Sequence, residues 1–261
     1  MVNILDQIVA RKRVEVEAAK KKTSYIQLEE SEYFNRVPLS FRDFLLDPSR
    51  SGIIAEFKRK SPSKGIINNQ VKVKKTTQSY AAAGASALSV LTDHAFFMGK
   101  KSDLVQARRA NEIPILRKDF MIDEYQILEA KALGADIILL IAAILSPQEI
   151  KKMAALAKSL GMNVLLEVHN LEELERSLDP QVDAIGVNNR NLADFTVSVD
   201  TSFTLIKSIP QGFLKISESA ISNPATIRQL KEAGFNGFLI GENFMKEADP
   251  GEAMKAFVRE I

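Results

Sequence analysis

Residues 124–170 read EYQILEAKALGADIILLIAAILSPQEIKKMAALAKSLGMNVLLEVHN, and they hold a pattern that recurs along the chain. Glu124–Leu133 has helical periodicity and stops at Gly134, after which comes the apolar run Asp136–Ile141. Pro147–Leu160 is again helical and stops at Gly161, and the run Asn163–Val168 follows. Apolar runs this short, bounded by turn residues, fit strands covered on both faces, as parallel sheets require. A glycine directly after each helix can take the left-handed conformation that ends it.

Working outward, Val73–Ala83 precedes Gly84 and the run Ala87–Leu91, and Pro224–Ala233 precedes Gly234 and the run Gly237–Ile240. Ile53–Phe57, Pro114–Arg117, Ala184–Val187 and Phe213–Ser217 bring the strand candidates to eight. Their starts lie roughly 20 to 35 residues apart, the length a strand, a helix and two loops need. Eight such units most simply close into an α/β (β/α)8 TIM barrel. A doubly wound open sheet shows the same alternation, but its glycine-rich fingerprint is missing, because Phe57 is followed by KRKSPSKG. The sequence predicts one barrel domain over residues 1–261, of which 1–48 form an N-terminal helical extension. In it the apolar pairs Ile4/Leu5 and Ile8/Val9 precede a Lys/Arg-rich face, and a second short helix is expected near Phe41–Leu46. That extension is expected to plug or flank the barrel.

Composition narrows the function. Lys+Arg number 35 against 33 Asp+Glu, a formal charge of +2 that argues against a nucleic-acid or membrane-surface protein. Cysteine is absent, which excludes disulfides, thiolate metal sites and thiol nucleophiles. The sequence shows neither a signal-peptide h-region nor a long apolar span, so a cytoplasmic protein is expected. The two histidines, His94 and His169, leave little for a metal site, and catalysis is expected to rest on Lys and Glu.

In parallel barrels the segments after the strands' C-terminal ends build the site. Glu56 and Lys58 are two residues apart, project to one side with Ile54, and can tune each other at a low-dielectric barrel mouth. Lys118, in ILRKDF, can hold an anion, form a Schiff base or protonate a carbonyl oxygen. Glu167 ends an apolar run, an expensive place for a carboxylate without compensation. Asn188 and Arg190 can orient a carboxylate or phosphate. Glu218, Ser219 and Ala220 follow the seventh run, and Gly241 with Glu242 opens a short helix after the eighth. Backbone amides at those two places form the recurrent barrel phosphate site. Ala220 stands where a glycine would ease close approach. Phe96 and Phe97 can line an apolar wall for a ring-bearing substrate.

The ordered set AEFKRKSPSKG, SVLTDHAFFMG, ILRKDF, LLEVH, VNNRNL, ISES and FLIGENFM resembles the indole-3-glycerol phosphate synthase family, and RKRVEVEAAK resembles its N-terminal capping segment. The resemblance spans essentially the whole chain. It implies conversion of 1-(2-carboxyphenylamino)-1-deoxyribulose 5-phosphate into indole-3-glycerol phosphate, carbon dioxide and water in tryptophan biosynthesis, with no cofactor and no metal. It implies a catalytic set of Glu56, Lys58, Lys118, Glu167, Asn188 and Ser219. Lys118 is the implied acid at the ribulose carbonyl, Lys58 the holder of the substrate carboxylate, and Glu56 the group that orients the lysines. Glu167 is the implied proton-transfer group in dehydration, a role that Lys58 shares as an alternative. Ser61, Phe97, Arg190, Glu218, Ala220, Gly241 and Glu242 are the implied substrate-binding residues. Ala220 and the Lys100–Lys101 pair depart from the family pattern, and both are expected to touch binding. The implied partner is a small phosphorylated molecule; the oligomeric state is left open, with a monomer and association with other pathway enzymes both compatible. A Schiff-base aldolase and a non-enzymatic phosphate-binding barrel are the competing readings.

Overall fold

The structure is a computed structural model that describes residues 4–191 and 195–261; Leu192, which ends the VNNRNL motif, lies outside the described residues. Eight strands form the sheet: β1 (Ile53–Phe57), β2 (Ala87–Leu91), β3 (Ile115–Lys118), β4 (Ile137–Ile141), β5 (Asn163–Val168), β6 (Ala184–Asn188), β7 (Leu214–Glu218) and β8 (Gly237–Ile240). Each pairs in parallel with its neighbours in sequence, and β1 pairs with both β2 and β8, so the sheet closes into a barrel. Helices α1 (Ile4–Lys22), α2 (Tyr25–Glu29) and α3 (Phe41–Leu46) precede it. Around it run α4 (Val73–Ala82), α5 (Lys101–Ala110), α6 (Glu124–Ala132), α7 (Pro147–Ser159), α8 (Leu171–Ser177), α9 (Asp200–Leu205), α10 (Pro224–Ala233), α11 (Glu242–Met245) and α12 (Pro250–Val258). Among the described residues no helix is long and apolar enough to cross a membrane.

Alternation along each strand separates two cores. Ile53, Ala55 and Phe57 face the surrounding helices, as do Val164, Leu166 and Val168. Ile54, Leu116, Leu139, Leu165, Ile216 and Leu239 fill the barrel interior. The period of two then aims Glu56, Lys118, Glu167 and Glu218 inward, each two residues beyond an interior aliphatic. The glycines that punctuate the helices, Gly84, Gly134, Gly161 and Gly234, all have positive φ, which explains why this punctuation was readable. α7 shows the matching start signal, a capping box between Ser146 and Glu149 with Pro147 in its first turn.

The N-terminal helices act at both ends. Phe41 and Leu45 of α3 join the interior cluster, and the Phe41 backbone N–H donates to Asn163 Oδ1 (3.3 Å) where β5 begins, so α3 plugs the N-terminal end. α1 flanks the opposite end, burying Leu5, Ile8, Lys12 and Val16 along one stripe. Lys12 is the surprise in that basic helix: it is buried, with Nζ 2.8 Å from Asp93 and 2.9 Å from Asp119, on the segments following β2 and β3. Burial works to lower its pKa, but the two aspartates outweigh burial and raise it.

Three strands run one residue further than their sequence suggests. Lys118, Asn188 and Glu218 were expected just past Arg117, Val187 and Ser217, yet all three still pair, Lys118 opposite Leu91 and Asn188 opposite Glu218. A polar residue after an apolar run looks like a loop, whereas its backbone can continue the ladder while its side chain enters the site. Eight βα units imply a helix after each strand, but the segments of α5, α8, α9 and α12 were not located in the sequence, α5 (KSDLVQARRA) being too polar for a clear apolar stripe; α2 and a short antiparallel pair, Lys60–Ser61 with Gly65–Ile66, were not expected.

Lys12→Met leaves Asp93 buried without its cation and strips Asp119 of one of its two, Arg117 being the other, and is expected to destabilise the chain by about 3–5 kcal/mol. Lys20→Met removes a partly exposed pair with Asp123 and should cost about 1 kcal/mol or less. Urea unfolding of both variants checks this; equal effects would mean that the buried contact adds nothing special.

Candidate active site

The inward residues at the C-terminal strand ends surround a cavity of about 700 Å³ above the aliphatic interior. Glu56, Lys58, Ser61, Phe97, Lys118, Glu167, Asn188, Arg190, Glu218, Ser219, Ala220, Gly241 and Glu242 all line it, so the whole catalytic and substrate-binding set implied by the resemblance is brought to one place. Phe96 does not line it, while Phe97 does, its ring 6.1 Å from that of Phe120. Lys100 and Lys101 lie elsewhere, and Lys101 pairs with Glu129, which corrects the expectation that this departure touches binding. Ile4, Leu5 and Ile8 of α1 also line the cavity. Their apolar pairing was visible in the sequence, but it signalled packing, not which end they cover.

Lys118 is the hub. Its Nζ donates to Glu167 Oε2 at 2.6 Å and to Glu218 Oε2 at 3.1 Å. Burial works to lower the pKa of this ammonium, but Glu167, Glu218 and Glu56 outweigh it and raise the pKa above the ordinary lysine value. Burial pushes Glu167 up, and Lys118 and His169 more than reverse this, holding Glu167 below the ordinary carboxylate range. Glu218 goes the other way. Burial raises it, the neighbouring carboxylates Glu167 and Glu56 add to the rise, and Lys118 offsets only part. Across the mouth Lys58 Nζ lies 2.7 Å from Glu56 Oε1, and Ser89 Oγ donates to Glu56 Oε2 at 3.4 Å. Asn188 Nδ2 donates to Glu167 Oε1 at 3.1 Å, and Asn188 Oδ1 accepts the Arg190 backbone N–H at 3.0 Å. Glu56, Glu167 and Glu218 thus lie together with Lys58 and Lys118 at the strand ends, an arrangement suited to proton transfer and to holding anions.

Two glycines make the crowding feasible. A Cβ on Gly186 would lie 2.2 Å from Glu218 Oε1, and one on Gly241 would lie 2.5 Å from Glu56 Oε1. β7 and β8 are paired neighbours, so the segments after them emerge side by side. There Ser219 and Ala220 have φ of 66° and 59°. Ala220 therefore adopts the left-handed backbone that glycine favours, and a non-glycine residue there stores roughly 1–2 kcal/mol of strain. Arg190 reaches across the mouth to the segments after β8 and β1, with Nη2 3.8 Å from Glu242 and Nη1 3.5 Å from Ser63 Oγ. Sequence reasoning gave Glu173 no role, yet it pairs with His169 just behind Glu167. Among the described residues no histidine and carboxylate cluster forms a metal site.

Fold and site together define a barrel enzyme built for acid–base work on an anionic substrate. A family model described as indole-3-glycerol phosphate synthase matches residues 5–257, and the chain belongs to that family. Relatives of the same description occur in Bacteroides thetaiotaomicron, 48% identical over all of both chains, and in Laribacter hongkongensis, 46% identical over 97% of this chain and 98% of that protein. Solved structures at low identity share the fold. They include 3-hexulose-6-phosphate synthase from Salmonella typhimurium (TM-score 0.63, 11% identical, 80% of this chain and 97% of that one). A second is a chain of the tryptophan synthase complex from Pyrococcus furiosus (TM-score 0.59, 16% identical, 81% and 98%).

Gly186→Ala forces Glu218 away from its place beside Lys118. The variant is expected to lose about 1–3 kcal/mol of stability through overpacking, and its crystal structure should show Glu218 displaced. An unmoved Glu218 would show that the close fit is not what holds it.

Proposed function

We propose that this chain catalyses the reaction of its family, the closure of 1-(2-carboxyphenylamino)-1-deoxyribulose 5-phosphate to indole-3-glycerol phosphate with loss of carbon dioxide and water. The observation that carries the site assignment is the placement of Lys118 Nζ between Glu167 and Glu218, in the same cavity as the Lys58–Glu56 pair.

In this reading the ring carbon bearing the carboxylate attacks the ribulose carbonyl carbon while Lys118 gives a proton to the carbonyl oxygen. A carbon–carbon bond forms and the nitrogen becomes cationic, a charge that Glu56 stabilises. The carbon–carboxylate bond then breaks, and its electron pair neutralises the nitrogen. Finally the new hydroxyl leaves as water on a proton from Lys58, while the ionised Glu167 takes a proton from the ring carbon beside the nitrogen, whose C–H electron pair closes the indole double bond. Lys58 holds the substrate carboxylate against the closing ring, Asn188 and Ser219 position the reacting end, and Phe97 covers the aromatic ring. Arg190, Glu218, Ser61 and the backbone at Ala220, Gly241 and Glu242 hold the sugar and its phosphate. Positioning and electrostatics supply the acceleration, since an acid and a cationic support suffice for both bond changes.

The charged state of Lys118 disfavours the aldolase reading, because a Schiff base needs a free amine to attack. The same reading treats residues 1–261 as one functional unit, supported by Ile4, Leu5 and Ile8 in the cavity wall and by the Lys12 ion pairs. A cytosolic setting fits a chain without cysteine.

The chain has no tryptophan, so the indole fluorescence of the product is free of any signal from indole side chains of the protein. Supplied with the carboxyphenylamino sugar phosphate, the protein is expected to generate that signal. Lys118→Ala should lower kcat by about 10²–10⁴-fold, while an inert substrate analogue still binds within a few-fold. Borohydride should trap no covalent adduct. Turnover that survives Lys118→Ala, or a labelled Lys118, would overturn the assignment.

A further inference from the structure

His169 is the first residue after β5, and its ring sits between two carboxylates. Nε2 stands 3.3 Å from Glu167 Oε1, and Nδ1 stands 3.1 Å from Glu173 Oε2. The first contact is an ion-pair approach without hydrogen-bond alignment; the second is a hydrogen bond. A neutral imidazole carries one N–H and one lone pair, so it would turn a lone pair towards one of these oxygens. Imidazolium presents an N–H to both.

We propose that His169, held as an imidazolium by Glu173, is a positioning residue that fixes the orientation and the ionised state of Glu167 for proton transfer. The inference rests on the role given to Glu167 above. Neither His169 nor Glu173 lines the cavity, so both act through Glu167 and not on substrate.

The surroundings support this assignment. Glu173 is itself fixed, since Oε2 accepts the His169 backbone N–H at 2.8 Å and Oε1 accepts Asn170 Nδ2 at 3.1 Å. Asn170 in turn caps α8, accepting the Glu173 backbone N–H at 2.9 Å, so the first turn of that helix aims the carboxylate. Glu167 accepts hydrogen bonds from two other elements, Lys118 of β3 at Oε2 and Asn188 of β6 at Oε1, and His169 Nε2 approaches Oε1 from the segment that follows its own strand. The charged groups acting on the pair are therefore Glu167 on β5, Lys118 on β3, Glu218 on β7, and Glu173 with Arg176 on α8. Partners of this kind behind a working group typically change its performance by about 10–100-fold when removed, as documented for metal ligands.

A pH dependence follows. Burial disfavours the imidazolium, but Glu167 and Glu173 outweigh burial and raise its pKa to about 9. A raised histidine keeps its charge below that value and loses it as pH rises through it, so the support for Glu167 disappears on the alkaline side.

The test compares kcat, KM and their pH profiles for the parent chain and for His169→Gln, Glu173→Gln and Glu167→Gln. His169→Gln is expected to lower kcat about tenfold with little change in KM, and to lose the fall in activity near pH 9. Glu173→Gln should move that fall to lower pH, because one of the two carboxylates that hold the charge is gone. With two histidines in the chain, comparing ring ¹⁵N spectra of the parent and His169→Gln assigns His169 directly. Both its nitrogens should be protonated at neutral pH without substrate. A neutral ring at pH 7, or a His169→Gln variant with unchanged kcat and alkaline fall, overturns the inference. If Glu167→Gln keeps full turnover, the reading of the site itself fails; an inactive Glu167→Gln beside a fully active His169→Gln sinks the positioning role alone. Should His169→Gln fail to fold, the ring spectrum and the Glu173→Gln profile decide.

Discussion

Lys118 carries its charge at the mouth of an aliphatic barrel, within 2.6 Å of Glu167 and 3.1 Å of Glu218. Removing such an ion from water costs several kcal/mol unless partners of opposite charge meet it at close range, so the lysine and the two glutamates can exist there only together. The architecture follows from that requirement. β3, β5 and β7 must end in register with inward-facing polar residues, β6 must offer Gly186 where a side chain would strike Glu218, and α3 must close the far end so that the interior stays apolar. With three carboxylates and two ammoniums in one space, one carboxylate is pushed towards its neutral form, and Glu218 is that group. The site is thereby set for proton movement before any substrate arrives.

The outer wall holds the same strand end from the other side. Arg117 and Asp119 flank Lys118 and are buried. Arg117 donates to Thr92 Oγ1, to the Gln126 carbonyl oxygen and to Glu129, while Asp119 accepts from Thr92 Oγ1 and pairs with Lys12. The backbone on both sides of Lys118 is thus fixed by a polar network, and through Lys12 that network includes α1. The helix that lends Leu5 and Ile8 to the cavity wall is consequently tied to the strand that carries Lys118.

Much of this was legible in the sequence because barrels repeat. The glycines after the helices announce the βα unit, and once strands are located the period of two decides which side chains point inward; Ile54, Glu56 and Lys58 needed nothing more. Strand ends were less legible, since Lys118, Asn188 and Glu218 look like loop residues while their backbones still pair. The left-handed backbone of Ala220 was invisible because alanine rarely adopts it. Lys12 could not be distinguished from the other lysines of α1, because contacts across a barrel rim leave no periodic trace, and Glu173, four residues after His169, could be tied to it only once a helix was placed directly after that histidine. Specific roles for the strand-end residues came from resemblance to the family, whereas their convergence could be argued from the fold.

The measurement that tests the central claim most directly is a crystal structure of the protein with the substrate's alcohol, in which the ribulose carbonyl is reduced and the reaction cannot proceed. The account predicts the former carbonyl oxygen within about 3 Å of Lys118 Nζ, the aromatic carboxylate on Lys58, and the phosphate between the segments at Ala220 and Gly241. A bound analogue with its phosphate on Lys118, or with the reduced carbon turned away from that ammonium, would contradict it.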